Sequence, residues 1–243
     1  MTSKEMHYDF KQKLNKLDSQ KYSNLKVPEI DWKLNEAQEV IIKMIAQPKY
    51  NRLAGFEINQ RSIDDISRIV VNQTNSNMGC LIPEQIDDSS FKVSLPEDYF
   101  YYLPSTIYAS KGACVKEKMR RVVVAKHNFA TDSSPFNKSS FEWRVINISF
   151  YSDGIKIHTD GTFVPDMFCM NYIRKPRLIH NAASFPGGSY KALNGDTLSG
   201  TQDCELNESL HREIVDLAVL ITSGDLSLPD FAIKQSKIRL VNS

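Results

Sequence analysis

No run of apolar residues in this sequence approaches the ~20 needed to cross a bilayer, so no membrane anchor is expected. Charge of one sign is not in excess either: 30 Lys and Arg stand against 29 Asp and Glu, a formal net charge of +1. Dedicated nucleic-acid domains ordinarily carry a strong basic surplus, so that class is excluded, although a protein that merely lets DNA pass needs none. Cysteine is sparse and dispersed. Cys80, Cys114, Cys169 and Cys204 form no CxxC, so neither a disulfide framework nor a zinc knuckle is expected. Scattered thiols of this kind fit a reducing cytoplasm, where they act as small buried hydrophobes. The opening MTSKEMHYDFKQK has no apolar core segment, so no signal peptide is expected, and no internal repeat is visible.

Catalytic signatures are missing as well. There is no GxSxG, no HExxH and no P-loop, and Gly187-Gly188 lacks the strand before it and the helix after it that a phosphate cradle requires. A nucleophilic site needs a base beside an activated side chain, and nothing in the spacing ties such a pair together.

What is present is ordinary globular material. The chain has 243 residues, 41% hydrophobic and 24% charged. That is enough to bury a core as one large domain or two small ones, and it rules out disorder over most of the length. Helical periodicity dominates the first third. Met6, Phe10, Leu14 and Leu17 mark one narrow stripe. Pro28, Glu29 and Asp31 suit a helix start, and Leu34, Ala37, Gln38, Ile41, Met44 and Ile45 follow on one face up to Pro48. A third helix is predicted over 60–71, with Ile63, Ile66, Ile69 and Val70 inward, followed by the loop NQTNSNMG.

From Phe91 the period changes to two. FKVSL alternates, LPEDYFYYLP sets an aromatic cluster between prolines, and FEWRVINISFYSDGIKIHTDG alternates again. Asp153-Gly154 and Asp160-Gly161 read as hairpin turns, with MFCMNYIR completing a three-strand meander. SFPGGSYKALNGDTLSGTQD reads as one long, functional or interfacial loop. A closing helix follows, capped by Asn207, with Leu210, Ile214, Leu217, Ala218 and Ile221 as its buried stripe and Gly224 at its C′ position.

Three patterns compete for chemistry or binding. His158 and Asp160, with His211 downstream, have the residue types of the facial triad of non-haem iron oxygenases. Asp160 precedes Gly161 in a turn pattern, however, and His211 falls on a predicted helix; a metal site is therefore not expected, and no cofactor is assigned. The second pattern is a basic run of Lys111, Lys116, Lys118, Arg120, Arg121 and Lys126 against Glu117, which is either a solvated strand face or a surface for phosphate or a partner. Arg174, Lys175 and Arg177 make a smaller patch of the same kind, and Asp203, Glu205, Glu208 and Glu213 form an acidic counterpart. The third is the tail. Leu226, Leu228, Phe231, Ile233, Ile238 and Leu240 are spaced along a segment with no helical stripe, and Pro229 bars it from the centre of a sheet. Such a tail predicts an extended assembly arm that pairs with another chain by strand addition.

Together these elements predict an α+β chain. Its helical bundle part spans 1–90, its inserted β-rich part, sandwich or barrel-like, spans 91–202, a closing helix over 203–224 packs on the helical part, and the arm spans 225–243. This order, and the segments DWKLNEAQEVIIKMI, GFEINQRSIDDISRIV, LPEDYFYYL and CELNESLHREIVDLAV, resemble the head–tail connector (adaptor or ring) proteins of short-tailed, crAss-like bacteriophages. The resemblance covers most of the chain and rests on structural segments. It implies a virion structural protein, assembled in the bacterial host cytoplasm into a homo-oligomeric, dodecameric ring. Its partners would be the portal or an adjacent ring and tail proteins, with transient, non-specific contact to passing DNA. The expected role is assembly and not catalysis. The rival readings are an iron oxygenase built on His158, Asp160 and His211, and a receptor- or glycan-binding β-domain of a phage tail.

Overall fold

The computed structural model describes residues 1–15, 25–46, 64–73, 79–112, 117–119, 121–124, 138–192 and 195–225. The chain is α+β. It divides into a helical unit, Met1–Ile69 with the described residues from Pro176 onward, and a β unit, Val70–Lys175.

In the helical unit, α1 spans Ser3–Asn15, α2 Val27–Ala46 and α3 Glu208–Asp225. A capping box starts α1: the Glu5 amide donates to Thr2 Oγ1 at 3.3 Å, and the Thr2 amide donates back to Glu5 Oε2 at 2.8 Å. The expected stripe of α1 is buried through Met6, Phe10 and Leu14, while Leu17 lies outside the described residues. On α2 the inner face carries Ile30, Leu34, Ala37, Ile41 and Ile42; Met44, expected inward, is 46% exposed because the face turns away near the helix end. The third helix packs against both others. Its stripe holds Leu210, Ile214 and Ala218 as expected, but it continues through Val215, Val219 and Thr222, leaving Leu217 and Ile221 half-buried. Gly224 is not a C′ residue, since the helix runs on to Asp225, whose carboxylate meets Lys33 at 2.5 Å.

Two expectations change at the borders of the units. The helix predicted over 60–71 is helical from residue 64 but tightens to a 3-10 turn at Ser67–Ile69 and gives way to a strand, β1, Val70–Asn72. The β-branched pair Val70-Val71 finds antiparallel partners in Ile173 and Tyr172, so pairing overrides the helical spacing. The Gly- and Ser-rich segment after Phe185 is not one loop. Its described residues form the hairpin of β10, Ser189–Lys191, and β11, Thr197–Ser199, which groups with the helical unit.

The β unit holds two sheets. One has the order β1-β9-β4-β5, with β4 spanning Tyr99–Ser110, β5 Glu117–Lys118 and β9 Val164–Arg174. The other has the order β2-β3-β8-β7-β6, with β2 Glu84–Asp87, β3 Ser90–Val93, β6 Arg121–Val124, β7 Val145–Tyr151 and β8 Gly154–His158. A single apolar core joins them: Phe91, Ile146, Ile148, Ile155 and Ile157 from one sheet meet Ile107, Phe168, Met170 and Tyr172 from the other. Pro104 sits inside β4, where the register against β9 shifts between Leu103 and Thr106. There the Asn171 side chain donates to the Pro104 carbonyl at 2.7 Å and Ser105 Oγ accepts from the Asn171 amide at 2.9 Å, so side chains satisfy backbone groups that the register shift leaves outside the ladder.

The Asp153-Gly154 hairpin joins β7 to β8 as expected, with Tyr151 opposite Gly154. Gly154 has φ +145°, and a Cβ there would collide with the Val93 carbonyl of β3, so glycine alone fits. No three-strand meander follows. At Asp160 the carboxylate accepts from the Thr162 amide at 2.8 Å, an Asx turn with Gly161 at φ +79°, and the chain crosses to the other sheet. Cys80 and Cys169, expected as separate thiols, form a disulfide. Their sequence separation of 89 residues hid the pairing, but the bridge Leu81↔Phe168 makes them cross-strand neighbours with Cα atoms 4.4 Å apart. Cys204 is a buried free thiol, pushed up to about 11 by that burial.

Candidate functional site

The most concentrated chemistry lies inside the helical unit. Asp31 is 2% exposed. Its Oδ1 meets His7 Nε2 at 2.5 Å, and its Oδ2 accepts from the Tyr190 hydroxyl at 2.5 Å and from the Asn181 amide at 3.1 Å. One turn on, the Asn35 side chain accepts from the Ile179 amide and donates to the Ile179 carbonyl, both at 2.8 Å. Burial and the adjacent carboxylate push the Tyr190 hydroxyl far above its ordinary range. The carboxylate is thus saturated by α1, the hairpin and the chain before it. A carboxylate buried in this way, with three contacts to distant parts of the chain, positions elements. The sequence places Asp31 beside Glu29 near the positive end of the helix dipole, with no sign of its partners. The signal for its inward direction was its spacing with Leu34, Asn35 and Gln38 on the face that also holds Ile41 and Ile42.

The candidate iron ligands are not gathered. His158 lies on β8, where its Nε2 is 2.9 Å from Ser149 Oγ, and Asp160 is engaged in its own turn by the Thr162 amide and hydroxyl. Both belong to the β unit, whereas His211 lies on α3 of the helical unit. His211 is 2.9 Å from the N-terminal amine through Nδ1 and 3.2 Å from the Leu206 carbonyl through Nε2. Among the described residues, no group of three or more His, Cys, Asp or Glu could hold a metal ion.

The basic run is partly neutralised within the β unit. Lys111 pairs with Glu142 at 2.6 Å, and Glu117, its one acid, pairs with Arg144 at 2.7 Å. Lys118 on β5 and Arg121 on β6 are exposed, on edge strands of the two sheets. Lys116, Arg120 and Lys126 lie outside the described residues, as do all six residues of the arm, Leu226, Leu228, Phe231, Ile233, Ile238 and Leu240. In the smaller basic patch, Arg177 meets Glu205 of the acidic segment, its amide donating to Glu205 Oε1 at 2.7 Å. No helix among the described residues is long and apolar enough to cross a membrane.

Sequence reading missed one exposed element, the edge strand β2. All four of its residues are exposed, and Ile82 and Ile86 beside and within it are 78% and 50% exposed. Its signal was weak, because IPEQIDD is short and proline-broken.

Residues 1–225 match the family model described as phage tail ring protein 3/4. No curated protein matches the chain.

Proposed function

The chain belongs to the crAss-like phage tail ring protein 3/4 family, and from that premise we propose that it is a ring subunit at the portal, neck or tail junction of the virion. In this reading it joins capsid to tail and surrounds the path of the genome. The observation that carries it is the family match over 225 of 243 residues. The ring is a homo-dodecamer assembled in the host cytoplasm, stacked on the portal or an adjacent ring and on tail proteins. Its work is assembly without catalysis or cofactor, in keeping with a buried carboxylate at Asp31 whose three contacts tie parts of the fold together.

Surface chemistry supports two finer roles. The exposed Lys118 and Arg121, and with them Lys116, Arg120 and Lys126, are assigned to contact with passing DNA or a partner ring, while Lys111 is paired with Glu142. A channel wall must not grip the genome, and attraction between exposed cations and phosphate is screened by salt. Leu226, Leu228, Phe231, Ile233, Ile238 and Leu240 are assigned to an assembly arm that orders on another subunit, on the strength of their spacing in the sequence.

The experiment is mass measurement of the purified full chain, beside electron microscopy of the same sample. Rings with the mass of twelve 27.7-kDa chains are expected, alone or with the portal or adjacent ring present. A chain that stays monomeric in both conditions refutes the proposal.

A further inference from the structure

We infer that the basic half of the C-terminal arm of one subunit adds as a strand to the acidic edge strand β2 of the next subunit. The inference rests on the ring reading and names the surface that the arm occupies.

On the receiving side, β2 ends its five-stranded sheet, paired with β3 on one side only among the described residues. An unpaired edge of this kind is a template for another strand. Its residues are exposed and acidic: Glu84, Asp87 and the adjacent Asp88. Lys156 reaches Asp87 at 3.8 Å, but Glu84 and Asp88 have no ion pair among the described residues. Ile82 and Ile86 add apolar surface that the unit leaves in water.

On the donating side, the sequence from Phe231 to Ser243 holds Lys234, Lys237 and Arg239 and no acidic side chain. Lys237-Ile238-Arg239-Leu240 alternates cation and hydrophobe over four residues, the length of β2. Those four residues bring two cations, Lys237 and Arg239, to an edge with two acids, Glu84 and Asp87, while Lys234 and Asp88 add one charge of each sign just outside.

Charge decides between occupants. A second β2 edge would bring like charges directly opposite one another, which is destabilising across a strand pair. A basic strand turns the same contacts favourable, and backbone hydrogen bonds supply affinity irrespective of side chains. Acidic residues on an edge thus bar self-pairing of edges and admit the arm.

The test uses full-length chains carrying reversed charges. Glu84→Lys with Asp88→Lys makes one variant; Lys234→Glu with Lys237→Glu and Arg239→Glu makes the other. Circular dichroism checks that each remains folded, as expected for the exposed positions Glu84 and Asp88. Each variant alone should lose the ring-sized species, and a 1:1 mixture should regain it, because each arm then meets an edge of opposite charge. Wild-type rings should also weaken as salt rises. Either reversal assembling like wild type overturns the arm–edge pairing while leaving the ring reading in place, and so does loss of assembly without rescue in the mixture. A wild-type chain that never assembles overturns both.

Discussion

At the centre of the helical unit a carboxylate, Asp31, is ringed by His7, Tyr190 and the Asn181 amide. At the centre of the β unit stand Ile146, Ile148, Ile155, Ile157 and Phe168, with a disulfide between Cys80 and Cys169 at the flank. Burying apolar surface is non-directional and tolerates small shifts, whereas buried polar groups demand particular partners in particular places. The helical unit, assembled from segments far apart in the chain, therefore gains specificity of arrangement from its polar network. The β unit gains its order from strand register and a covalent link. For a ring subunit the expected consequence is that the two units respond most to different perturbations. The two tryptophans help, for Trp32 lies on α2 and Trp143 in the β unit.

The largest effect is expected from Asp31→Ala. It leaves the buried Asn181 amide and His7, and the half-buried Tyr190 hydroxyl, without their acceptor, and removing one member of such a network typically costs about 3–5 kcal/mol. Urea unfolding followed by Trp32 fluorescence in a Trp143→Phe background reads the helical unit alone. A loss below about 1 kcal/mol would show that this unit does not depend on its polar centre.

Next in size is the disulfide. Breaking it with Cys169→Ser should cost about 2–4 kcal/mol, mostly through the freed chain of the unfolded state. Hydrogen exchange in β7 and β8 should quicken while that of α1, α2 and α3 stays as it was. Uniform quickening in both units would break the comparison, since it would make the chain one cooperative body.

Legibility in the sequence follows the same division. The three helices were readable because a 3.6-residue period needs only local information: Met6, Phe10 and Leu14, then Leu34, Ala37 and Ile41, then Leu210, Ile214 and Ala218. The Asp153-Gly154 hairpin was readable for the same reason. What failed was non-local. The Cys80–Cys169 link and the strand at Val70-Val71 depend on the register of β9, which no short window contains. The jump of the chain between sheets at Asp160 looks, in sequence, like another hairpin. Asp31 was legible as a helix residue and illegible as a buried one, because its partners lie 24, 150 and 159 residues away. The family match covers the segments on which the resemblance to ring proteins rested.

A smaller effect sharpens the picture of α3. Leu217 was expected on the buried stripe and is half-buried; the structure rotates the stripe toward Val215 and Val219. Ile214→Ala, at full burial, should cost about 2–5 kcal/mol, whereas Leu217→Ala should cost about 1 kcal/mol. The pair is compared by thermal unfolding monitored at Trp32. Equal losses would return Leu217 to the core.

The smallest expected effect is acid sensitivity, and it is the one in which the two units behave alike. Each holds a histidine whose pKa lies below the ordinary 6.5. Burial lowers His158 in the β unit, with Lys156 adding to it, and burial lowers His211 in the helical unit, where the N-terminal amine acts in the same direction. A lowered pKa means that the unfolded chain takes up the proton more readily than the folded one. Stability therefore rises with pH across the interval between the two values. The contribution is fully present above about pH 6.5 and is lost as pH falls from there through the lowered folded-state value. Unfolding midpoints measured at Trp32 should decline between pH 7.5 and pH 5. Part of that slope should vanish in His211→Gln, which removes the titrating ring from the helical unit and leaves His158 in place. The slope of the β unit, followed through hydrogen exchange of β7 and β8, should be unchanged in the same variant and flattened in His158→Gln. If His211→Gln leaves the Trp32 slope as steep as in the wild type, the acid response of the helical unit comes from other groups, and the parallel between the two histidines fails.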